Sequence, residues 1–196
     1  MLSFLPYPGR RGVRGTSLVE VLVTLMILAF GLLGVAGLQA KIGAAEMESY
    51  QRAQALLALS QMTERMNANP TQAASYVTNG TIGTGDNQPA TCTGIAPGPN
   101  LDLCEWSNTL KGASEQNAGG SVGGALAVRG CITQLQAPNP ALGVCTTGVY
   151  QVSVAWQGTV PTATPALACA AGSYGANDAY RRVIAGTVSV PTTSCY

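Results

Sequence analysis

The sequence predicts an α+β protein in which a long N-terminal α-helix, membrane-spanning in its first half, packs against a C-terminal antiparallel β-sheet domain with disulfides. Three observations carry that prediction. Residues 18–38 form an apolar run with a single charge, Glu20. No proline occurs between Pro8 and Pro70, so nothing breaks a helix that continues beyond this run. Three later segments have strand character, and all six cysteines lie beyond residue 90. Composition narrows the chemistry further. The 196 residues include no histidine, which excludes Ser-His-Asp and Cys-His pairs, His-ligated zinc or haem, and an imidazole acid or base near neutral pH. Ten basic against nine acidic residues leave no basic surplus for nucleic acid. With 46% hydrophobic and 10% charged residues, the chain is too apolar for a disordered polyelectrolyte.

The charges fall in blocks. Residues 1–15 carry Arg10, Arg11 and Arg14 and no acid, whereas residues 70–196 carry nine charges. The run from 18 to 38, LVEVLVTLMILAFGLLGVAGL, would span ~31 Å as a helix, matching a hydrocarbon core of about 30 Å. The arginines on its N-terminal side place the N-terminus in the cytoplasm and export everything after Leu38. Cys92, Cys104, Cys131, Cys145, Cys169 and Cys195 all fall in the exported part. An even number without a C-x-x-C pair is expected for disulfides formed in an oxidising compartment, with zinc binding as the alternative.

Beyond the apolar run, Ala55, Leu59, Met62 and Met66 recur on one helical face, while Gln51, Gln54, Gln61, Glu64 and Arg65 supply polar faces. Glu48 precedes Arg52 at the favourable i, i+4 spacing, and Asn69 before Pro70 is a natural stop. The expected helix therefore covers residues 16–69, with 18–38 apolar and 39–69 amphipathic. Its second half needs a globular domain, here residues 70–196, to cover its apolar stripe.

Glu20 is the anomaly. A carboxylate in hydrocarbon is costly and ordinarily implies a partner, unless it reaches the headgroup region. Its setting, RGTSLVEVLVTLMILAFGLLGVAGLQ, resembles the N-terminus of type IV pilins with a class III signal. In that family a basic leader ends in Gly, prepilin peptidase cuts after it, and a Glu stands at the fifth mature position. The matching residues are Gly15 as the last of a 1–15 leader, Thr16 as the new N-terminus and Glu20 as the fifth residue. The family prefers Phe or Met where this chain has Thr16. Removing the leader leaves seven basic against nine acidic residues, net −2. The resemblance implies the type IV pilin fold, N-methylation at Thr16, and pairing of Glu20 with the N-terminal amine of a neighbouring subunit. Such a pair fixes axial register, the best-attested role of buried polar groups in helical assemblies. A secretory signal peptide cut after Ala40 is the rival reading. The length of the apolar run, Leu38 at the third position before the cut, and Glu20 itself all disfavour it. Gly31, Gly34 and Gly37 allow close helix packing, or unwinding inside a fibre as the family implies.

In the exported part, residues 70–124 read as loops tacked down by cysteine, with a short helix over 101–113 capped by Asn100. Trp106 reads as a packing residue, and Asn79-Gly80-Thr81, which fits a glycosylation acceptor, reads as a plain turn. The GTGDN stretch at 83–87 has too few acids for a calcium loop. Strands are expected over 125–135, 148–157 and 181–190. In the second, Tyr150, Val152, Val154 and Trp156 share one face while Gln151, Ser153 and Ala155 share the other. Arg181 and Arg182, at a strand start, are expected to face solvent. GLLGVAGLQ, GVYQVSVAWQG and RRVI resemble minor pilins of the PilV type. Six cysteines allow fifteen connectivities. Sequential pairing is the expectation among them: Cys92–Cys104, Cys131–Cys145 and Cys169–Cys195, the last resembling the C-terminal disulfide loop of pilins.

No catalytic residue, metal site or cofactor is assigned. The acids beyond residue 70, Asp86, Asp102, Glu105, Glu115 and Asp178, are scattered, and no base accompanies the serines. The expected function is that of a structural, non-catalytic minor pilin. It would be held in the bacterial inner membrane by a single pass before assembly and lie in the pilus at the cell surface afterwards, supporting pilus assembly, adhesion or twitching motility. Its expected partners are other pilins, major and minor, through the N-terminal helix, prepilin peptidase, and the inner-membrane assembly platform, with no nucleic acid. The alternatives are a type II secretion pseudopilin and, from another class, a membrane-anchored periplasmic enzyme or binding protein.

Overall fold

The computed structural model describes residue 15 and residues 17–113, 116–117, 120–121 and 125–192; the leader arginines, Thr16, Glu115 and Cys195 lie outside the described residues. The chain divides into two compact units, Met1–Gly43 and Ala44–Tyr196. Helix α1 (Leu18–Ala68) is the predicted long helix, unbroken by its glycines. It stops at Ala68 because Asn69 leaves helical geometry, with φ −123° and ψ 58°, ahead of Pro70. A 3-10 turn, Pro70–Tyr76, follows.

Within the second unit α1 buries Gln51, Ala55, Ala58, Met62 and Met66. Their spacings of four, three, four and four residues trace one helical face. Ala55, Met62 and Met66 stand where their periodicity places them, with Leu59 at the margin. Gln51 does not lie on a polar face. It is buried, because it sits one turn before Ala55 on the same stripe.

Strand β1 (Ile82–Gly83) follows the 3-10 turn, and helix α2 (Pro99–Leu110) comes next. The short helix exists but begins earlier than expected, with Gly98 rather than Asn100 as the N-cap and Pro99 in the first turn. Proline suits that position because its missing N–H is one that the helix start leaves unpaired anyway. Strands β2 (Gln116–Asn117) and β3 (Gly120–Ser121) pair with each other. Strands β4 (Arg129–Gln136), β5 (Gly148–Gln157) and β6 (Arg181–Val190) complete the main sheet. It is antiparallel throughout, in the order β1-β4-β5-β6. The last two strands have their expected bounds. β4 starts at Arg129 rather than 125, because residues 125–127 form a turn in which Ala127 takes φ +52°.

The inner face of the sheet holds the principal core. Gly130 pairs with Val154, and Ile132 with Val152. Tyr150 pairs with Val188. These residues join the α1 stripe and Trp106 of α2. Trp106 is 0% exposed, and its indole N–H donates to the Ala58 carbonyl of α1 at 2.9 Å. The indole lies so close over Gly130 that a Cβ there would come within 2.2 Å of it. Glycine is thus required at residue 130 for close approach, and one aromatic ring joins both helices to the sheet.

The outer face is covered as well, which the alternation in β5 did not predict. Ala155 is buried with Cys131, Cys169, Ala170 and Tyr174. Tyr174 donates its hydroxyl to the Ala127 carbonyl at 2.7 Å, and the Arg129 guanidinium stands 5.3 Å from its ring centroid. Arg181 does not face solvent. Its guanidinium is buried and donates to the carbonyls of Pro165, Leu167 and Cys169, with Asp178 at 3.1 Å as its counter-ion. One buried cation thereby gathers the returning loop, at a position where a lone charge would be costly.

The disulfides correct the sequential scheme. Cys92–Cys104 is present as expected, but Cys131 pairs with Cys169 rather than Cys145. Cys145 is itself disulfide-bonded. The expected Cys169–Cys195 bond is therefore ruled out, as is the zinc reading for the four cysteines of the two described bridges. Spatial closeness decides the pairing: Cys131 faces outward from β4, opposite Ser153 of β5, where the loop carrying Cys169 folds back.

Candidate functional site

The N-terminal site is built at the start of α1. Gly15 is exposed and precedes the helix, so a cut after it falls outside helical structure. Ser17 caps α1: its carbonyl accepts from the Glu20 N–H at 3.0 Å, and its hydroxyl accepts from the same N–H at 3.2 Å. Ser17 and Glu20 are thus at the spacing of a capping box, with an acid in the first turn where the helix dipole favours negative charge. The sequence carries this signal as S-x-x-E, and the cap is a function for this turn that the reading of the apolar run missed. Among the described residues Glu20 has no cationic partner within its own chain, and its side chain is exposed.

The apolar segment that follows is exposed from Leu18 through Met47. Among the described residues one helix, α1, is long and apolar enough to cross a membrane. Thr24, the one neutral polar side chain of residues 18–38, donates to the Val21 carbonyl at 2.8 Å and so carries no unpaired hydroxyl hydrogen into an apolar medium. Beyond its chain neighbours and its own helix backbone, a Cβ added at Gly31, Gly34 or Gly37 would meet no described atom within 4 Å.

In the second unit two clamps hold the amphipathic part of α1. At its start Glu48 pairs with Arg182 at 2.5 Å and accepts from the Thr159 hydroxyl at 3.0 Å. Arg182 is therefore an anchor, and the expected Glu48–Arg52 pair is replaced by this long-range one. Burial pushes the Glu48 carboxyl up, but the hydrogen bonds from Arg182 and Thr159 outweigh it and hold the group below its ordinary value. At the other end Arg65 reaches Asp102 at 2.8 Å and Glu105 at 2.7 Å on α2. The Tyr76 hydroxyl donates to the same Asp102 carboxylate. Burial, and then the Asp102 carboxylate, push the Tyr76 phenol up to about 12.

The remaining acids are structural pins. Asp86 pairs with Lys111 at 2.5 Å and accepts from the Ser107 hydroxyl and the Gly83 N–H, each at 2.8 Å. Burial raises its carboxyl, and these contacts together bring it below its ordinary value. Asp178 accepts from the Gly172 and Tyr174 N–H groups while facing Arg181. Every described acid beyond residue 70 is thus held by a cation, and Asp102 and Glu105 converge on Arg65 rather than on a cavity. Among the described residues no group of three His, Cys, Asp or Glu side chains converges as metal ligands. A long, exposed apolar helix joined to a disulfide-bonded antiparallel sheet is compatible with a pilin fold. No protein-family model, curated protein or solved structure matches the chain.

Proposed function

We propose that the chain is a minor pilin of a type IV pilus, of the PilV type, with a structural rather than catalytic role. Prepilin peptidase removes residues 1–15, Thr16 becomes the N-methylated terminus, and the apolar segment moves from the inner membrane into the filament among other pilins. The observation that supports this most is the state of α1. Residues 18–38 are exposed, whereas the same helix from Gln51 onward is seated on a sheet and clamped at both ends. Helix association in an apolar medium draws on close van der Waals packing, and the open glycine stripe offers it. Glu20, with no cationic partner among the described residues, remains available for a neighbour's amine.

Two variants of Glu20 test this reading. Removing one partner of a buried ion pair typically costs about 3–5 kcal/mol, so Glu20→Ala is expected to reduce incorporation into sheared fibres by roughly tenfold or more. Membrane insertion stays intact. Glu20→Gln keeps the capping-box residue type but removes the charge. It is expected to assemble as poorly as Glu20→Ala, whereas wild-type incorporation of Glu20→Gln would assign the residue to capping alone and defeat the pairing role. Intact mass of the protein from cells with and without prepilin peptidase reads the processing step in the same preparations.

A further inference from the structure

The outer face of the main sheet carries a cavity of about 400 Å³ to which the filament reading assigns no role. Its floor is a set of cross-strand neighbours, Thr133 opposite Gln151 and Cys131 opposite Ser153. One wall is the loop fastened by Cys131–Cys169, which brings Ser173 to the rim; the other is the turn carrying Thr78 and Thr81. Thr78 is fully engaged: its hydroxyl accepts from the Ile132 N–H at 3.0 Å and donates to the Gly80 carbonyl at 3.0 Å, so that wall is fixed.

The other polar side chains are free to act on a ligand. Ser153 is 4% exposed, yet among the described residues its hydroxyl has no hydrogen-bond partner. That hydroxyl lines the cavity, so its donor and its acceptors are open to a solute there. The side chains of Thr81, Thr133, Gln151 and Ser173 likewise form no hydrogen bond among the described residues. No Asp, Glu, Lys or Arg lines the cavity.

This lining selects a chemistry. Hydroxyls donate and accept, and the Gln151 amide does one with each of its ends. A charged ligand would lose its hydration with no opposite charge to replace it, and an apolar one would leave Ser153 and Gln151 unpaired. A polyol meets both demands, because each of its hydroxyls also donates and accepts. The volume lies within the usual range for small-molecule sites, about 300–1,000 Å³. We propose that this cavity binds a neutral saccharide, one pyranose ring seated on Ser153, Gln151 and Thr133. No aromatic ring lines it to stack on the sugar, so a dissociation constant on the order of millimolar is expected. The proposal concerns the sheet domain alone and stands apart from the filament reading.

Saturation-transfer NMR on the full chain, held in a zwitterionic detergent without a sugar headgroup, tests it. The probes are the methyl glycosides of glucose, galactose, mannose and N-acetylglucosamine, with the methyl glycoside of N-acetylneuraminic acid as the anionic counterpart and a Gly-Ser peptide as the neutral non-sugar. Saturable binding of at least one neutral glycoside is expected, weakened about tenfold or more by Ser153→Ala. Loss of binding is expected with Thr133→Arg, which brings a charge and a long side chain onto the floor. Thr133 is exposed, so that variant reports even where Ser153→Ala fails to fold. Absence of saturable binding by every neutral glycoside, binding unchanged in the folded variants, or tighter binding of the anionic sugar or the peptide would each overturn the proposal.

Discussion

On the inner face of the sheet, Ile132, Val152 and Val154 are covered by regular helices, whereas on the outer face Cys131, Ser153 and Ala155 are covered by a mostly irregular loop. The inner cover is apolar and continuous, with Met62, Met66 and Trp106 at its centre. Each such side chain, fully buried, contributes about 1.5–3 kcal/mol. The outer cover lacks that area and uses discrete fastenings instead: the Cys131–Cys169 bridge, the buried Arg181–Asp178 pair, and Tyr174 with its hydroxyl tied to backbone. Apolar packing closes a face uniformly, while fastenings close it only where they stand. The hydroxyl-lined cavity beside Cys131–Cys169 lies on the second kind of face.

The contrast can be broken from either side. Trp106→Ala should have the largest effect, because it empties the point where α1, α2 and β4 meet; large-to-small changes of this kind cost about 3–5 kcal/mol. A fall in the denaturation midpoint of the whole second unit measures it, and a local loss restricted to α2 would count against a continuous inner core. Replacing Cys131 and Cys169 together by Ser is expected to cost about 2–4 kcal/mol. Here hydrogen exchange should rise chiefly in the segment from 158 to 180, with β5 amides still protected. Equal deprotection of β5 would show that the outer cover is as cooperative as the inner one. Smallest is the Glu48–Arg182 clamp, a partly exposed pair for which Glu48→Gln should cost about 0.2–1 kcal/mol. Glu48 is held below its ordinary value of 4.5. The pair's contribution is therefore present above that pH and is lost as pH falls through the lower folded value. A wild-type stability curve that declines in acid more steeply than that of Glu48→Gln is the expected result.

Elements whose side chains repeat with a local period were legible. β5 and β6 have their expected bounds, and Ala55, Met62 and Met66 face the core as their spacing requires. Features set by contacts between distant segments were not. Arg181 read as a solvated strand-start residue, because its acceptors are the carbonyls of Pro165, Leu167 and Cys169, which carry no side-chain signature. Arg182 and Glu48 are 134 residues apart, beyond any local rule. Cys131 chose Cys169 over the nearer Cys145 for the same reason: proximity along the chain is not proximity across a sheet. At the start of α1 the Ser17 cap was not anticipated, although S-x-x-E is itself a local signal.

The Cys131–Cys169 bridge also bears on the order of events during synthesis. A chain emerging N-terminus first presents Cys131 and Cys145 before Cys169 exists outside the ribosome, so the earliest thiol that Cys131 can meet downstream is the wrong one. Two routes lead to the native bond. Either the sheet forms while these thiols are still reduced, so that Cys131 is already turned toward the returning loop, or an early bridge is undone by attack of another thiolate through a mixed disulfide. Both make maturation depend on timing and on the redox couple as much as on final stability, in a chain whose last cysteines arrive last.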